Sequence, residues 1–243
     1  MPEFIYPDWS APKNVRAVTT ARTGGVSRGP YGSLNLGDHV GDDPEAVRRN
    51  RALLRAALKL PSEPLWLRQV HGTNVVDGAA AETGATADGA WTGKPGVVLA
   101  VLTADCLPVF LCDRQGTKVA LLHAGWRGLA AGVIEAGVRA LGIPGENLSA
   151  WLGPAIGPQS YEVGDDVRNA FLGADPEAAQ AFAPGAAGRW LADMYALARQ
   201  RLGALGVREV YGGGHCTLRE AGRFFSHRRD GTCGRMASLI WLE

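Results

Sequence analysis

The sequence predicts an α/β (α+β) fold of mixed β-sheets in a sandwich flanked by helices, and not a Rossmann fold. Three observations lead there. Apolar runs of strand length are interspersed with segments of helical periodicity in a mixed order, which favours packed sheets over a regular βαβ repeat. No G-x-G-x-x-G or G-x-x-x-x-G-K-[ST] motif is present to cradle a nucleotide phosphate. The 243 residues contain no linker or charge run, so 1–243 reads as one domain, and 46% hydrophobic residues supply a core without disulfides.

The elements follow in order. A short strand is expected in VRAVTTAR, followed by Thr23 to Asp43, a glycine-rich and turn-rich stretch too long for a routine connection. Loops of that kind tend to carry function. Asp43 then fits an N-cap, with Pro44 at the first helical position, Glu45 in the first turn, and Val47, Leu54 and Leu58 on one face of a helix ending near Leu60-Pro61. Strands are expected at about 64–70, 96–104 and 117–123. Gly128 to Leu141 fits a single helix with Leu129, Val133 and Leu141 on its apolar face. A further strand is expected in LSAWLG, and Leu191, Met194, Ala198, Leu202 and Leu205 form a helical stripe read as core. REVYGGG and SLIWLE read as a last strand pair with FFSHRRDG between them.

Charge and termini narrow the function. A formal net charge of +1 gives no electrostatic reason for a nucleic-acid or membrane partner, so a small ligand is expected. MPEFIYPDWS lacks the basic and apolar regions of a signal peptide, and Val97 to Leu102, the longest apolar run, is too short to span a bilayer; a cytoplasmic protein is expected. The four cysteines have no CxxC spacing, so they are expected as reduced thiols with one bound to metal.

The chemistry concentrates where apolar runs stop. His71 closes PLWLRQVH, Cys106 closes GVVLAVLTADC and His123 closes KVALLH. The C-terminal ends of strands are where side chains turn out into ligand crevices. Two imidazoles and one thiolate give three ligands, the count of a catalytic zinc that keeps one position open, whereas a structural zinc is closed by four. His215 or Cys216 would be the candidate fourth ligand of such a closed, non-catalytic site. Copper also accepts this donor set, but no axial Met stands near these strands, and a four-copper oxidase needs more imidazoles than the five present.

Asp88 in ATADGAW and Asp105 beside the thiolate are candidates for proton transfer or for orienting an imidazole, against the alternative of plain Asp-Gly-type turns. Arg127, just before the expected helix, could join its free amides in holding an anion beside the metal. Arg22, Arg228 and Arg229 lie in loops, where surface ion pairing is the competing role.

TTARTGGVSRGPYGSLNLGDHVGDDP, LRQVHG, LTADCLPV, HAGWRGL, WLGPAIGPQSYEVG and FFSHRRDGTCGRMASLIWL resemble, nearly end to end, the bacterial laccase-domain family, named multicopper polyphenol oxidase and later purine nucleoside phosphorylase. The resemblance implies the laccase-domain fold and one zinc held by His71, Cys106 and His123. Catalysis would fall to these three with Asp88, and substrate binding to Arg22, Asn35, Arg127, Arg228 and Arg229. It implies phosphorolysis of adenosine, inosine, guanosine and methylthioadenosine, with deamination of adenosine. Two alternatives accompany it: an amide hydrolase editing peptidoglycan precursors, and a copper-dependent polyphenol oxidase. The chain departs from the family pattern at TTAR, where TTR is usual, and at His227, where Tyr is common.

Overall fold

The computed structural model describes residues 2–243 and contains thirteen strands. The first seven are β1 (Phe4–Ile5), β2 (Val15–Thr20), β3 (Val75–Asp77), β4 (Gly89–Thr92), β5 (Leu99–Thr103), β6 (Leu107–Asp113) and β7 (Val119–Ala124). β8 (Leu148–Leu152), β9 (Glu162–Val163), β10 (Phe182–Pro184), β11 (Trp190–Ala192), β12 (Glu209–Gly212) and β13 (Met236–Leu242) complete them. The helices are α1 (Pro44–Leu58), α2 (Trp126–Ala131), α3 (Val133–Leu141), α4 (Asp165–Leu172), α5 (Met194–Ala204) and α6 (His227–Asp230).

Two large sheets face each other. One is antiparallel with strand order β1-β2-β13-β5; the other is mixed, β12-β8-β6-β7-β4-β3. A small sheet, β10-β11-β9, lies apart from both. Side-chain alternation shows why the central runs are apolar on both faces. Along β6, Phe110 and Cys112 point into the layer between the sheets, where they meet Val101, Met236 and Ile240. Leu107, Val109 and Leu111 point outward beneath α3 and α5, with Ile134, Leu141, Leu197 and Leu202. On the far side of the antiparallel sheet, Val18, Ala100 and Leu239 pack with Leu54 of α1. The result is the expected α/β sandwich, one antiparallel and one mixed sheet with helices on both outer faces.

α1 begins as its sequence dictates: Asp43 accepts from the Glu45 amide, with Pro44 behind it. Several expectations need correction. Residues 64–70 form no strand, only single bridges at Leu65 and Arg68. The edge of β5 is satisfied by a side chain instead: Gln69 Nε2 donates to the Leu102 carbonyl and Gln69 Oε1 accepts from the Leu102 amide. The strand expected at 96–104 covers only Leu99–Thr103, and LPVFLCD forms a further strand, β6. The expected single helix over 128–141 is two, broken at Gly132, whose φ of 100° is open to glycine and strained for other residues. Leu191 belongs to β11, and α5 starts only after Asp193 caps it by accepting from Ala196 N. REVYGGG and SLIWLE do not pair: β12 runs parallel to β8, while β13 lies between β2 and β5 in the other sheet.

Candidate metal centre

Cys106 stands where the chain leaves one sheet for the other, between β5 and β6, after Asp105 takes a φ of 94°. His123 projects from β7, and His71 occupies a tight loop with a φ of 59°. The donor atoms of all three lie within 4.8 Å of one another. Cys106 Sγ is 3.7 Å from His71 Nε2, and the two imidazoles meet edge to face at 4.7 Å. His123 is buried, Cys106 partly so, and His71 exposed, so the cluster opens to one side.

Asp88, at the entrance to β4 and fully buried, organises two of the three. It accepts from the amides of Val70, His71 and Gly72 at 3.2, 2.8 and 2.7 Å, which fixes the turn that presents His71. Its Oδ1 also lies 2.8 Å from His123 Nδ1, so the other ring nitrogen of His123 is free to face Cys106. Burial opposes the Asp88 charge, but these donors and the imidazole hold its carboxyl below the usual range. For Cys106, burial pushes the thiol up, yet the positive His123 ring and hydrogen bonds from both histidines bring it down to about 6. His123 responds in the opposite sense: burial disfavours its cation, and the Cys106 thiolate with Asp88 raises it to about 9. Without metal, both shifts favour a thiolate at Cys106 beside an imidazolium at His123.

Two glycines of HAGWRG explain that motif. A Cβ on Gly125 would come within 2.6 Å of His71 Cδ2 and 3.2 Å of Cys106 Sγ. One on Gly128 would strike the Gly72 carbonyl oxygen at 2.7 Å.

The centre opens into a pocket of about 220 Å³ walled by Trp126, Arg127, Ile156, Tyr161, Met194, His227 and Arg228. That is small beside the roughly 300–1,000 Å³ of drug-sized ligand sites, as suits a small ligand. A groove of about 1070 Å³ near Lys59–Pro61 is larger, but no histidine or cysteine lines it. Arg127 lies over the Trp126 ring at 4.4 Å, and Arg228 donates to the Glu162 carbonyl beside Tyr161. Burial, with the negative charge at Cys106, pushes the Tyr161 phenol up to about 12.

The other expected substrate residues stand elsewhere. Arg22 donates to the Gly32 and Ala221 carbonyls and covers Phe225; Arg229 donates to the Thr217, Leu218 and Phe224 carbonyls. Asn35 is buried among Gly37, Asp42 and the Arg235 amide. All three hold loops together and none lines the pocket. His215 pairs with Glu220, and Cys216 accepts from Gly157 N, so neither joins the trio as a fourth ligand. Asp105 bridges loops: its carboxylate accepts from Thr217 Oγ1 at 2.6 Å and from the Arg228 amide at 2.7 Å. Trp126, Ile156, Tyr161 and Met194 were invisible as pocket residues in the sequence. Only their position beside HAGWRG and in WLGPAIGPQSYEVG could have drawn attention to the first three.

A two-sheet α/β sandwich with a His2Cys cluster able to hold a metal ion, open to a small pocket, defines the class. The chain belongs to the multi-copper polyphenol oxidoreductase laccase family, whose model matches residues 16–243. A purine nucleoside phosphorylase of Pseudomonas aeruginosa is 54% identical over 244 residues, with all of both chains covered. Purine nucleoside phosphorylase YfiH of Escherichia coli K12 is 53% identical, again over the whole of both chains. The crystal structure of a Neisseria meningitidis protein, 54% identical and covering 99% of each chain, superimposes with a TM-score of 0.95. All four cysteines are free, and among the described residues no helix is long and apolar enough to cross a membrane.

Proposed function

We propose that the protein is a cytoplasmic, zinc-dependent purine nucleoside phosphorylase acting on adenosine, inosine, guanosine and methylthioadenosine. The observation that carries this reading is one pocket in which a three-donor cluster, two arginines and an apolar wall meet. The names of the relatives support it. A tetrahedral zinc, at about 2.3 Å from sulfur and 2.1 Å from nitrogen, spaces neighbouring ligand atoms about 3.6 Å apart. The 3.7 Å between Cys106 Sγ and His71 Nε2 fits that spacing. His71, Cys106 and His123 would hold the ion, which would supply Lewis acidity and an activated water.

The chain's own residues do the rest. Asp88 holds His123 in one tautomer and the His71 loop in one shape. Arg127 and Arg228 offer fixed positive charge to phosphate, and Trp126, Ile156 and Met194 exclude water from the nucleoside. Holding phosphate against C1′ makes attack effectively intramolecular; a C1′–O bond forms, the C1′–N9 bond breaks and its electrons leave with the purine. Deamination of adenosine is a second activity of the same open centre. The low thiol pKa of Cys106 beside His123 also has the make-up of a nucleophile–base pair, the feature that would serve an amide hydrolase.

Incubating the zinc-loaded protein with inosine, with and without phosphate, tests the reading. Hypoxanthine and ribose 1-phosphate formed only with phosphate are expected. A folded, metal-replete sample that yields neither overturns it. Adenosine in the same assay reports deamination as inosine, and release of an amino acid from a muropeptide would instead support the hydrolase.

A further inference from the structure

Breaking C1′–N9 raises a proton question. The purine departs with the bonding electrons, and an anionic purine is a poor leaving group unless a proton reaches its imidazole ring as the bond lengthens. An acid at the pocket would supply that proton.

Its titratable groups can be taken one by one. His71 and Cys106 are committed to the metal cluster. Asp105 has one carboxylate oxygen on Thr217 Oγ1 and the other on the Arg228 amide. Tyr161, buried and pushed up to about 12, is a far weaker proton donor than an imidazolium. Arg127 and Arg228 are permanent cations, and on the same helical turn Arg229 and Asp230 pair with each other at 2.7 Å. His227 is left.

His227 opens α6 at the exposed rim of the pocket, directly after the Ser226 N-cap. Its Nδ1 lies 2.6 Å from the Gly231 carbonyl oxygen. A carbonyl only accepts, so the hydrogen-bond pattern places a proton on Nδ1 and leaves Nε2 as the ring nitrogen free to gain or give one. Because the Gly231 carbonyl accepts in both charge states, the ring keeps one orientation through the cycle.

We propose that His227 is the general acid of phosphorolysis, passing the proton on Nε2 to N7 of the departing purine; this rests on the phosphorylase reading above. The atoms balance. A phosphate oxygen bonds to C1′, the C1′–N9 pair moves into the purine ring, and N7 receives the imidazolium proton. The proton lost by hydrogen phosphate on forming ribose 1-phosphate passes through water back to Nε2, so no proton is consumed over the cycle.

The experiment compares guanosine with 7-methylguanosine, whose N7 carries a methyl group and a positive charge and which leaves as a neutral base without any proton. Zinc-loaded wild type, His227→Asn and His227→Phe are assayed with phosphate on both substrates. The asparagine amide can still donate to the Gly231 carbonyl, which preserves the local fold, and zinc content confirms that the centre is intact. On guanosine, kcat/KM is expected to fall about 10²–10⁴-fold in both variants. On 7-methylguanosine the fall should be no more than about threefold in the asparagine variant. An equal loss on both substrates would show a binding or positioning role and overturn the proposal. Unchanged guanosine turnover in both variants would overturn it as well. A wild type that turns over neither nucleoside with phosphate sinks the phosphorylase reading, and this proposal with it.

Discussion

Replacing Asp88 by asparagine keeps the volume of the side chain and changes only what it can accept. The carboxylate receives four donors: the amides of Val70, His71 and Gly72, and His123 Nδ1. An asparagine turns one acceptor oxygen into an NH2 group, so whichever way it is flipped, two donors face another donor. Each buried donor left unpaired costs about 1–3 kcal/mol, giving about 2–6 kcal/mol in total. For a chain of this size that corresponds to a fall in Tm of about 5–20 °C. Thermal unfolding of metal-free wild type and Asp88→Asn measures it directly. Metal affinity, read by competition with a chelator, should fall about 10–100-fold as His71 and His123 lose their fixed orientations. A variant within about 1 kcal/mol of wild type, with unchanged metal affinity, would refute the account of Asp88 as the organiser of the centre. Because folding lowers the Asp88 pKa, its contribution is present above the ordinary carboxylate value of about 4 and is lost as pH falls through the lower folded value. The asparagine variant should therefore lose part of the acid sensitivity of the wild type.

The ligand assignment predicts that His71→Ala, Cys106→Ala and His123→Ala lose zinc and phosphorolysis together, measured by elemental analysis and inosine turnover. A Cys106→Ala protein that keeps full zinc while losing all activity would mark the thiol as a nucleophile instead. Without metal, alkylation of Cys106 by iodoacetamide, mapped by peptide mass, should follow a midpoint of about 6. Its reactivity should be near its plateau at pH 7 and about tenfold lower at pH 5, whereas an ordinary thiol, with a pKa of about 8.5, gains reactivity only above neutrality.

The His71, Cys106 and His123 cluster is legible because an apolar run leads up to each of the three residues, and the structure brings their donor atoms within 4.8 Å of one another. The local geometry was not. His71 sits in a loop rather than at a strand exit, because Gln69 borrows the edge of β5 with its side chain, a pairing without periodicity. The sequence pattern ends a strand at Cys106, whereas in the structure the apolar run resumes at once in the opposite sheet. Arg22, Asn35 and Arg229 are expected as substrate residues from the resemblance alone, and in the structure their donors serve backbone carbonyls and neighbouring side chains that no sequence displays. Asp88 was half legible: an Asp-Gly pair fits a turn, and here the carboxylate fixes a turn seventeen residues away.

The corner at Asp105-Cys106 joins the two sheets, so the centre is built on a seam rather than on either layer. Its donors arrive from both directions, His123 from the six-stranded sheet and Cys106 from the passage between them. An ion held by both would work as a rivet through that seam. Loading should therefore stiffen the whole sandwich and raise its unfolding free energy by RT ln(1 + [L]/Kd), about 2.7 kcal/mol at a hundredfold excess over Kd. The converse follows for a loaded centre: a change of side-chain volume at Phe110 or Met236, in the layer between the sheets, would alter the gap an ion has to bridge. Ion affinity thereby becomes a gauge of how well the two halves of the core fit each other.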